Sequence, residues 1–184
     1  MKRDVQRAVF LDRDGTINVD RGYVYRIDQF EFIPGAVEAM RRLTENQIAI
    51  YIVTNQAGIG LGLYTEEDFW GLTRHMLGTL AQNGVRVEQV FFCPHHPEAT
   101  LEQYRQKCGC RKPETGLFEA VLKEYPKERL TLVGDKKSDI EAGQRLGIRT
   151  YLVETGYGAE HKNQVRADFV APDLKTAVDH LLRV

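Results

Sequence analysis

Short apolar runs of strand length alternate along this chain with stretches in which apolar residues recur at helical spacing. Residues 7–12 form the first run, and Ile48 to Val53 form a second that is continuously apolar and rich in β-branched residues. A run of the second kind is typical of a strand buried on both faces of a sheet. Four later runs also predict strands, at residues 87–92, 130–133, 150–153 and 169–170.

The stretches between these runs predict helices. Val37, Met40 and Leu43 are spaced as on one face of a helix that runs from Gly35 to about Asn46. Similar patterns predict further helices, over about residues 65–83, 116–125, 140–146 and 174–182. Alternating strands and helices predict a mainly parallel sheet covered by helices on both faces. The expected fold is therefore α/β, a Rossmann-like three-layer α/β/α sandwich.

The composition is that of an ordinary globular protein. With 184 residues, 42% of them hydrophobic, the chain fits one domain spanning residues 1–184, and it shows no inserted cap domain. The net charge of −1 offers little attraction to nucleic acid or to a membrane surface. Met1 to Arg7 is polar and of mixed charge, unlike a signal peptide. We therefore expect no nucleic-acid or membrane partner. The three cysteines are a poor disulfide framework, which favours the cytoplasm, where thiols stay reduced, and we expect a monomer.

Two acidic residues, Asp12 and Asp14, come at the end of the first apolar run. If that run is a buried strand, both lie in the crevice where open α/β sheets bind their ligands. Two neighbouring carboxylates attract a cation, and one can attack an electrophile while the other transfers protons. The pair therefore suggests magnesium-assisted phosphoryl transfer through an aspartyl-phosphate. The alternative is that both are solvated loop residues.

Polar residues also follow the other strong strands. Thr54 follows the second strand, where its hydroxyl can donate to a phosphoryl oxygen, although Thr is also common there in a turn or an N-cap. Lys112, next to Arg111, can neutralise a nucleophilic carboxylate and an incoming phosphate, although an Arg-Lys pair is usually solvated. Asp135 follows the fourth strand and is a further oxygen ligand for Mg²⁺, with Asp139 one helical turn on.

The three cysteines favour a metal site over a disulfide framework. Cys93-Pro94-His95 and Cys108-Gly109-Cys110 are two short-spaced pairs of ligands, separated by a loop. Three thiolates and one imidazole close a tetrahedral zinc site, which leaves no open position for catalysis. We therefore predict a structural zinc that orders a loop at about residues 93–110, and with it the basic pair that follows. The predicted ligands are Cys93, His95, Cys108 and Cys110, with His96 as the rival fourth ligand.

Together these residues resemble the four sequence motifs of the haloacid dehalogenase (HAD) superfamily, in the same order across nearly the whole chain. The matching stretches are Asp12-Arg13-Asp14-Gly15-Thr16, Thr54, Lys112, and Gly134-Asp135 with Asp139. The resemblance implies that Asp12 is the nucleophile and Asp14 the general acid and base. Thr54 and Lys112 would hold the phosphoryl group. Asp12, the backbone carbonyl of Asp14, and Asp135 would bind Mg²⁺.

A second resemblance is narrower. The pattern Cys-Pro-His-His-Pro…Cys-x-Cys-Arg-Lys-Pro, within residues 93–113, resembles a branch of heptose-bisphosphate phosphatases and histidinol-phosphatases. Residues 17–24 are closer to the heptose enzymes, which implies a sugar-bisphosphate substrate on the route to nucleotide-activated heptose for cell-surface polysaccharide. Histidinol phosphate, or another small phosphomonoester, is the alternative substrate. The residues implied to contact substrate are Asp20, Arg21, Gly22, Tyr23, Asn55, Gln56, Arg111 and Lys136.

Overall fold

The fold is built on one parallel sheet. The computed structural model describes residues 7–184, so residues 1–6, in the segment predicted to lack a signal peptide, lie outside the described residues. The strands of the described chain are β1 (Arg7–Leu11), β2 (Ile48–Asn55), β3 (Val87–Cys93), β4 (Leu130–Gly134), β5 (Arg149–Val153) and β6 (Phe169–Ala171). They form a six-stranded sheet in the order β3-β2-β1-β4-β5-β6, with every neighbouring pair parallel. Each strand predicted from the apolar runs is present.

The connections between strands carry the helices. In the described chain these are α1 (Ala36–Glu45), α2 (Ala57–Gly60), α3 (Glu66–Gln82), α4 (Glu119–Leu122), α5 (Lys137–Leu146), α6 (Gly158–His161) and α7 (Leu174–Leu181). Thr65 caps the N-terminus of α3, because its hydroxyl accepts a hydrogen bond from the Asp68 N–H at 3.1 Å. No helix between residues 7 and 184 is long and apolar enough to cross a membrane.

Some helices differ from the sequence-based prediction. The helices α2 and α6 were not predicted, because four residues are too few to show a helical period. Helix α5 begins at Lys137 rather than Ile140, since its first turn is polar and the Asp139 side chain accepts the Lys136 N–H at 3.0 Å. The helix predicted over residues 116–125 is shorter, with a 3₁₀ turn at Gly116–Phe118 before α4.

Apolar side chains cover both faces of the sheet. Successive residues of a strand point to opposite faces, so Val9 and Leu11 of β1 pack in one core with α1, α3 and α7. Ala8 and Phe10 pack in the other core, with α4 and α5. This arrangement confirms the predicted three-layer α/β/α sandwich.

The strand order creates a crevice beside β1. The chain proceeds from β1 to β2 and β3 on one side of the sheet, then returns to β4, β5 and β6 on the other side. At such a switch point the loops leaving neighbouring strands diverge, and the opening lies at the carboxyl ends of the strands. Leu11 lies opposite Val133 in the sheet, so the residues after β1 and β4 meet in this crevice.

Candidate active site

Three carboxylates meet where β1 and β4 end. The Asp12 N–H donates to the Val133 carbonyl at 2.9 Å, which extends the sheet pairing into the crevice. Carboxylate oxygens of Asp12, Asp135 and Asp139 lie within 4.8 Å of one another, and all three residues are buried. Buried acids this close repel one another, so they cannot all ionise without a compensating positive charge.

The surroundings of Asp135 fit a metal ion. Its Oδ2 accepts the Tyr157 N–H at 2.9 Å, whereas its buried Oδ1 has no hydrogen-bond partner among residues 7–184. Burial, followed by the charge of Asp12, raises the pKa of Asp135 to about 8. Gly15 permits this crowding, because it has a φ of +82° and a Cβ there would overlap the Asp135 carboxylate. A hard cation such as Mg²⁺ prefers such oxygen ligands and would relieve the repulsion.

Lys112 supplies positive charge beside the three carboxylates. Its buried Nζ lies 3.0 Å from Asp12 Oδ1 and 2.6 Å from Asp139 Oδ1, and it donates to the Val53 carbonyl at 2.6 Å. Burial acts to lower the pKa of Lys112, but the two aspartates outweigh it and raise that pKa, so the side chain is charged. The Asn55 side chain fixes the Lys112 main chain, donating to its carbonyl and accepting its N–H, both at 3.0 Å.

Asp14 is held in a separate hydrogen-bonded group. Arg13 Nη2 lies 2.9 Å from Asp14 Oδ2, and the side-chain amides of Asn18 and Gln56 each donate to Asp14 at 3.0 Å. Burial acts to raise the pKa of Asp14, but the charge and hydrogen bonds of Arg13, the Asn18 amide and the Lys136 charge together lower it. Asp14 is therefore ionised at neutral pH.

Gln56 joins Asp14 to Thr54. The amide of Gln56 also donates to Thr54 Oγ1 at 2.8 Å, and both side chains are buried. Because the Thr54 hydroxyl accepts this bond, its own proton can be donated elsewhere, which a group that holds a phosphoryl oxygen must do. Asp14 and Thr54 thus share one hydrogen-bonding neighbour.

A cavity of about 370 Å³ lies beside these groups, although Asp12, Thr54 and Asp135 are not among its lining residues. Asp14 and Lys112 line it, and so do most of the predicted substrate contacts, namely Asp20, Gly22, Tyr23, Asn55, Gln56, Arg111 and Lys136. Lys136 Nζ lies 3.2 Å from Asp20 Oδ2. Arg21 is not among the lining residues, because its side chain is more than half exposed and pairs with Glu31.

Several residues in and around the cavity were not predicted from the sequence. Tyr64, Ser138 and Tyr157 line it, and the Thr155 hydroxyl donates to the Gly15 carbonyl at 2.6 Å. A signal for two of them exists, because the polar, glycine-containing run Thr155-Gly156-Tyr157-Gly158 follows β5 at the same edge of the sheet. Tyr64 gives no such signal, since it lies in a turn between two helices.

A second cluster of metal-ligand type, the sulfur cluster, lies between β3 and α4. It consists of Cys93, His95, Cys108 and Cys110. The four ligand atoms lie within 4.8 Å of one another, with 2.9 Å between the Cys110 and Cys93 sulfurs and 3.3 Å between His95 Nδ1 and Cys110 Sγ. Zinc–sulfur bonds of about 2.3 Å require separations of this order, so the cluster can hold a metal such as zinc. His96 lies outside it, and its Nδ1 accepts the Glu98 N–H at 3.1 Å.

The sulfur cluster is connected to the crevice through the loop that it closes. Arg111 Nη1 donates to the His95 carbonyl at 3.3 Å, and the Gly116 N–H donates to the Gly109 carbonyl at 2.8 Å. Between β3 and Arg111 the only regular structure is a 3₁₀ turn at Glu102–Tyr104. The position of the basic pair therefore depends on contacts made around the cluster.

Fold and site together define the class of haloacid dehalogenase-like hydrolases. A family model described as HAD-hyrolase-like matches residues 109–177. The crystal structure of D,D-heptose 1,7-bisphosphate phosphatase from B. bronchiseptica, complexed with magnesium and phosphate, superposes with a TM-score of 0.87. That protein is 30% identical to this chain, and the match covers 96% of this chain and 98% of the other.

Curated relatives narrow the class. The D-glycero-beta-D-manno-heptose-1,7-bisphosphate 7-phosphatase of Photorhabdus laumondii is 43% identical over 170 residues, which is 91% of this chain and 90% of the relative. The protein of the same name from Haemophilus ducreyi is 39% identical over 180 residues, covering 96% and 98% of the two chains. The chain belongs to the family of D-glycero-beta-D-manno-heptose-1,7-bisphosphate 7-phosphatases, which confirms the resemblance seen in its motifs.

Proposed function

We propose that this chain is a Mg²⁺-dependent phosphatase that removes the 7-phosphate of D-glycero-D-manno-heptose 1,7-bisphosphate, on the route to nucleotide-activated heptose for cell-surface polysaccharide. The observation that carries the proposal is the group of Asp12, Asp135 and Asp139 around charged Lys112 at the switch point of the sheet. The names of the relatives support the substrate, and the magnesium and phosphate bound by the B. bronchiseptica enzyme support the cofactor.

The first step forms an aspartyl-phosphate. A carboxylate oxygen of Asp12 attacks phosphorus, and the bond from phosphorus to the C7 oxygen of the sugar breaks. Asp14 gives its proton to the departing oxygen, so the first product is heptose 1-phosphate. The bound phosphate favours the protonated form of Asp14 before this step, because a neighbouring negative charge raises the pKa of a carboxyl group.

The second step returns the enzyme to its starting state. A water molecule attacks the phosphorus of phosphorylated Asp12 while Asp14, now a carboxylate, takes a proton from that water. The bond between phosphorus and the Asp12 oxygen breaks, and inorganic phosphate leaves. The lowered pKa of Asp14 in the free enzyme keeps its side chain a carboxylate, which is the form that accepts a proton in this step.

Positive charge and hydrogen bonds hold the transferred group. The Thr54 hydroxyl and the Lys112 ammonium donate to its oxygens, which stabilises charge in the transition state. Asp12, the backbone carbonyl of Asp14, and Asp135 would hold Mg²⁺, which when bound offsets the negative charge of the acids and the phosphoryl group. Asp139 stays paired with Lys112 and so keeps the lysine aimed at Asp12.

Substrate recognition uses the cavity beside these groups. Arg111 and Lys136 offer charge to the second phosphate, and Asp20 to Tyr23 supply contacts at the rim of the cavity. The side chains of Asn55 and Gln56 are bonded to Lys112 and Asp14, so they act on substrate mainly by positioning those residues. Arg21 reaches substrate only if its pairing with Glu31 is released.

The sulfur cluster would hold a structural zinc. Three thiolates and the His95 imidazole fill a tetrahedral shell, so the metal would order the loop rather than bind substrate. The whole chain, residues 1–184, would then act as one domain with an open crevice and no separate cap. We place this activity in the cytoplasm and assign it to a monomer.

A phosphatase assay with defined substrates tests the proposal. Phosphate release is measured with Mg²⁺ on both anomers of heptose 1,7-bisphosphate and on histidinol phosphate, and the sugar product is identified by NMR. We expect an anomer of the heptose bisphosphate to give the highest kcat/KM and to lose only its 7-phosphate. A clear preference for histidinol phosphate would overturn the substrate but not the class of reaction.

A further inference from the structure

Gln56, the hydrogen-bonding neighbour that Asp14 and Thr54 share, is itself held by Tyr64, which lies outside the HAD motifs. We propose that Tyr64 is a positioning residue that holds Asp14, through Gln56, in the geometry needed to protonate the leaving oxygen. This inference rests on the proposed function, because it assigns the source of order for the general acid of that reaction.

Both the NH₂ group and the carbonyl oxygen of the Gln56 side chain have hydrogen-bond partners. Its NH₂ donates to Asp14 Oδ2 at 3.0 Å and to Thr54 Oγ1 at 2.8 Å. Its carbonyl oxygen accepts the Tyr64 hydroxyl at 2.5 Å and, more weakly, Arg13 Nη2 at 3.4 Å. Only one orientation of the amide satisfies these partners, because an ionised carboxylate can only accept and a guanidinium can only donate.

Tyr64 is placed as a fixed donor. Its side chain is buried and stacks on the ring of Tyr25, with centroids 5.0 Å apart and planes 8° from parallel. Gly58 makes room for it, since a Cβ at that position would overlap the Tyr64 ring. Burial raises the pKa of Tyr64, so the hydroxyl keeps its proton and cannot become an acceptor toward Gln56.

Loss of this hydroxyl would leave the Gln56 amide less firmly held. Arg13 would then be the one remaining donor to the Gln56 carbonyl among residues 7–184, at its longer distance. A loosely held amide no longer keeps its NH₂ aligned on Asp14 Oδ2, so the Asp14 carboxyl group is less well fixed. Proton transfer by Asp14 is sensitive to such displacements, because a general acid must lie within hydrogen-bond reach of the leaving oxygen.

The test compares two leaving groups. An alkoxide needs a proton from the general acid as it departs, whereas 4-nitrophenolate is stable without one, so only the sugar phosphate depends strongly on Asp14. We expect Tyr64→Phe to lower kcat/KM about tenfold for the heptose bisphosphate and by less than about twofold for 4-nitrophenyl phosphate. This parameter reports the first, phosphorylating step for both substrates.

A double-mutant cycle tests whether Tyr64 acts through Gln56. Gln56→Met keeps the length of the side chain without its hydrogen bonds, so it should lower kcat/KM for the heptose bisphosphate at least as much as Tyr64→Phe does. It should also lower kcat/KM for 4-nitrophenyl phosphate, because Thr54 loses its bond to Gln56. Adding Tyr64→Phe to Gln56→Met should then change kcat/KM no further, because the pathway is already broken. Additive losses would mean that Tyr64 acts by some other route and would overturn the inference.

A matched control accounts for the loss of a buried hydroxyl. Tyr151 is also buried, and its hydroxyl lies 2.8 Å from His180 Nδ1, remote from the crevice. Tyr151→Phe should leave the ratio of the two substrates unchanged, whatever it does to the thermal unfolding midpoint. A Tyr64→Phe variant that lost activity equally on both substrates, or on neither, would refute the positioning role.

The two proposals fail in different ways. If the wild-type protein does not hydrolyse the heptose bisphosphate, the proposed function fails, and the comparison is made with whichever alkyl phosphate the enzyme prefers. If wild-type activity is as proposed but Tyr64→Phe is not selective between leaving groups, only the present inference fails.

Discussion

The carboxylate crevice and the sulfur cluster are both groups of metal ligands, but the chain builds them in different ways. Asp12 and Asp135 directly follow buried strands, and their positions follow from the pairing of β1 with β4. Cys108 and Cys110 lie on a loop with little regular structure, where the sulfur cluster itself supplies the close contacts. The first group is organised by the fold, whereas the second organises a part of the fold.

This difference separates the residues that carry out the reaction from the residues that order a loop. A change in the crevice should abolish the reaction and leave the sheet intact, because the strands are held by two apolar cores that do not depend on the acids. A change in the sulfur cluster should loosen the loop and reduce activity indirectly, through the basic pair.

Replacement of Asp12, the proposed nucleophile, should have the largest effect. Asp12→Asn cannot form the phospho-enzyme, so phosphate release should fall at least about 10,000-fold. Lys112 would keep its pairing with Asp139, and the repulsion of Asp135 would be relieved. The thermal unfolding midpoint should therefore be at least that of the wild type.

An exposed acid provides the control for that variant. Asp28 pairs with Arg26 on the surface, so Asp28→Asn should retain both activity and thermal stability. A marked drop in the unfolding midpoint of Asp12→Asn would show that the carboxylate crevice supports the fold, and it would contradict the distinction between residues of the reaction and residues that order the structure.

Removal of a sulfur ligand should have the next largest effect. Cys108→Ala should lower the zinc content, the thermal unfolding midpoint and, by about 10- to 100-fold, kcat/KM. His96→Ala is the matched control, because His96 lies outside the sulfur cluster and should not change the zinc content. Unchanged kinetics together with unchanged zinc content in Cys108→Ala would refute the structural role.

The pH dependence of Mg²⁺ binding should show a smaller, graded effect. With its pKa raised to about 8, Asp135 is protonated in the metal-free protein at pH 7, and Mg²⁺ must displace that proton. Affinity measured by calorimetry should therefore rise about tenfold per pH unit up to pH 8 and level off above it. Asp135→Asn removes the titrating group and should abolish the slope. A flat wild-type profile would mean that Asp135 is ionised without the metal.

The raised pKa of Asp135 also makes the stability of the metal-free protein depend on pH. A carboxyl group with a raised pKa in the folded state stabilises the metal-free protein fully below its ordinary value of 3.8, and this contribution is lost as pH rises to about 8. Unfolding experiments in a magnesium chelator should show that loss, and added Mg²⁺ should reverse it.

The sequence predicts the sheet and its acidic edge well for a physical reason. Strands buried on both faces must be continuously apolar, so their ends are marked by the first polar residues, such as Asp12, Thr54 and Asp135. Once the strands are placed, parallel pairing brings those residues to one edge without further information.

The remaining details depend on contacts that no local pattern encodes. Arg21 follows Asp20 in the sequence, yet only Asp20 lines the cavity, because the Arg21 side chain lies in solvent, where it pairs with Glu31. The contact between Tyr64 and Gln56 depends on a turn and a four-residue helix, which are too short to show a period. The choice between His95 and His96 is likewise decided by how the loop folds back on itself.

The two bonds from Asn55 to the Lys112 main chain have a consequence for redesign. They hold the backbone of Lys112 from the end of β2, in addition to the contacts made around the sulfur cluster. Loop segments from relatives with other substrate preferences can therefore be grafted between Cys93 and Arg111, provided that the four metal ligands and Asn55 are retained. New specificities then become accessible by segment exchange, with the machinery of phosphoryl transfer left in place.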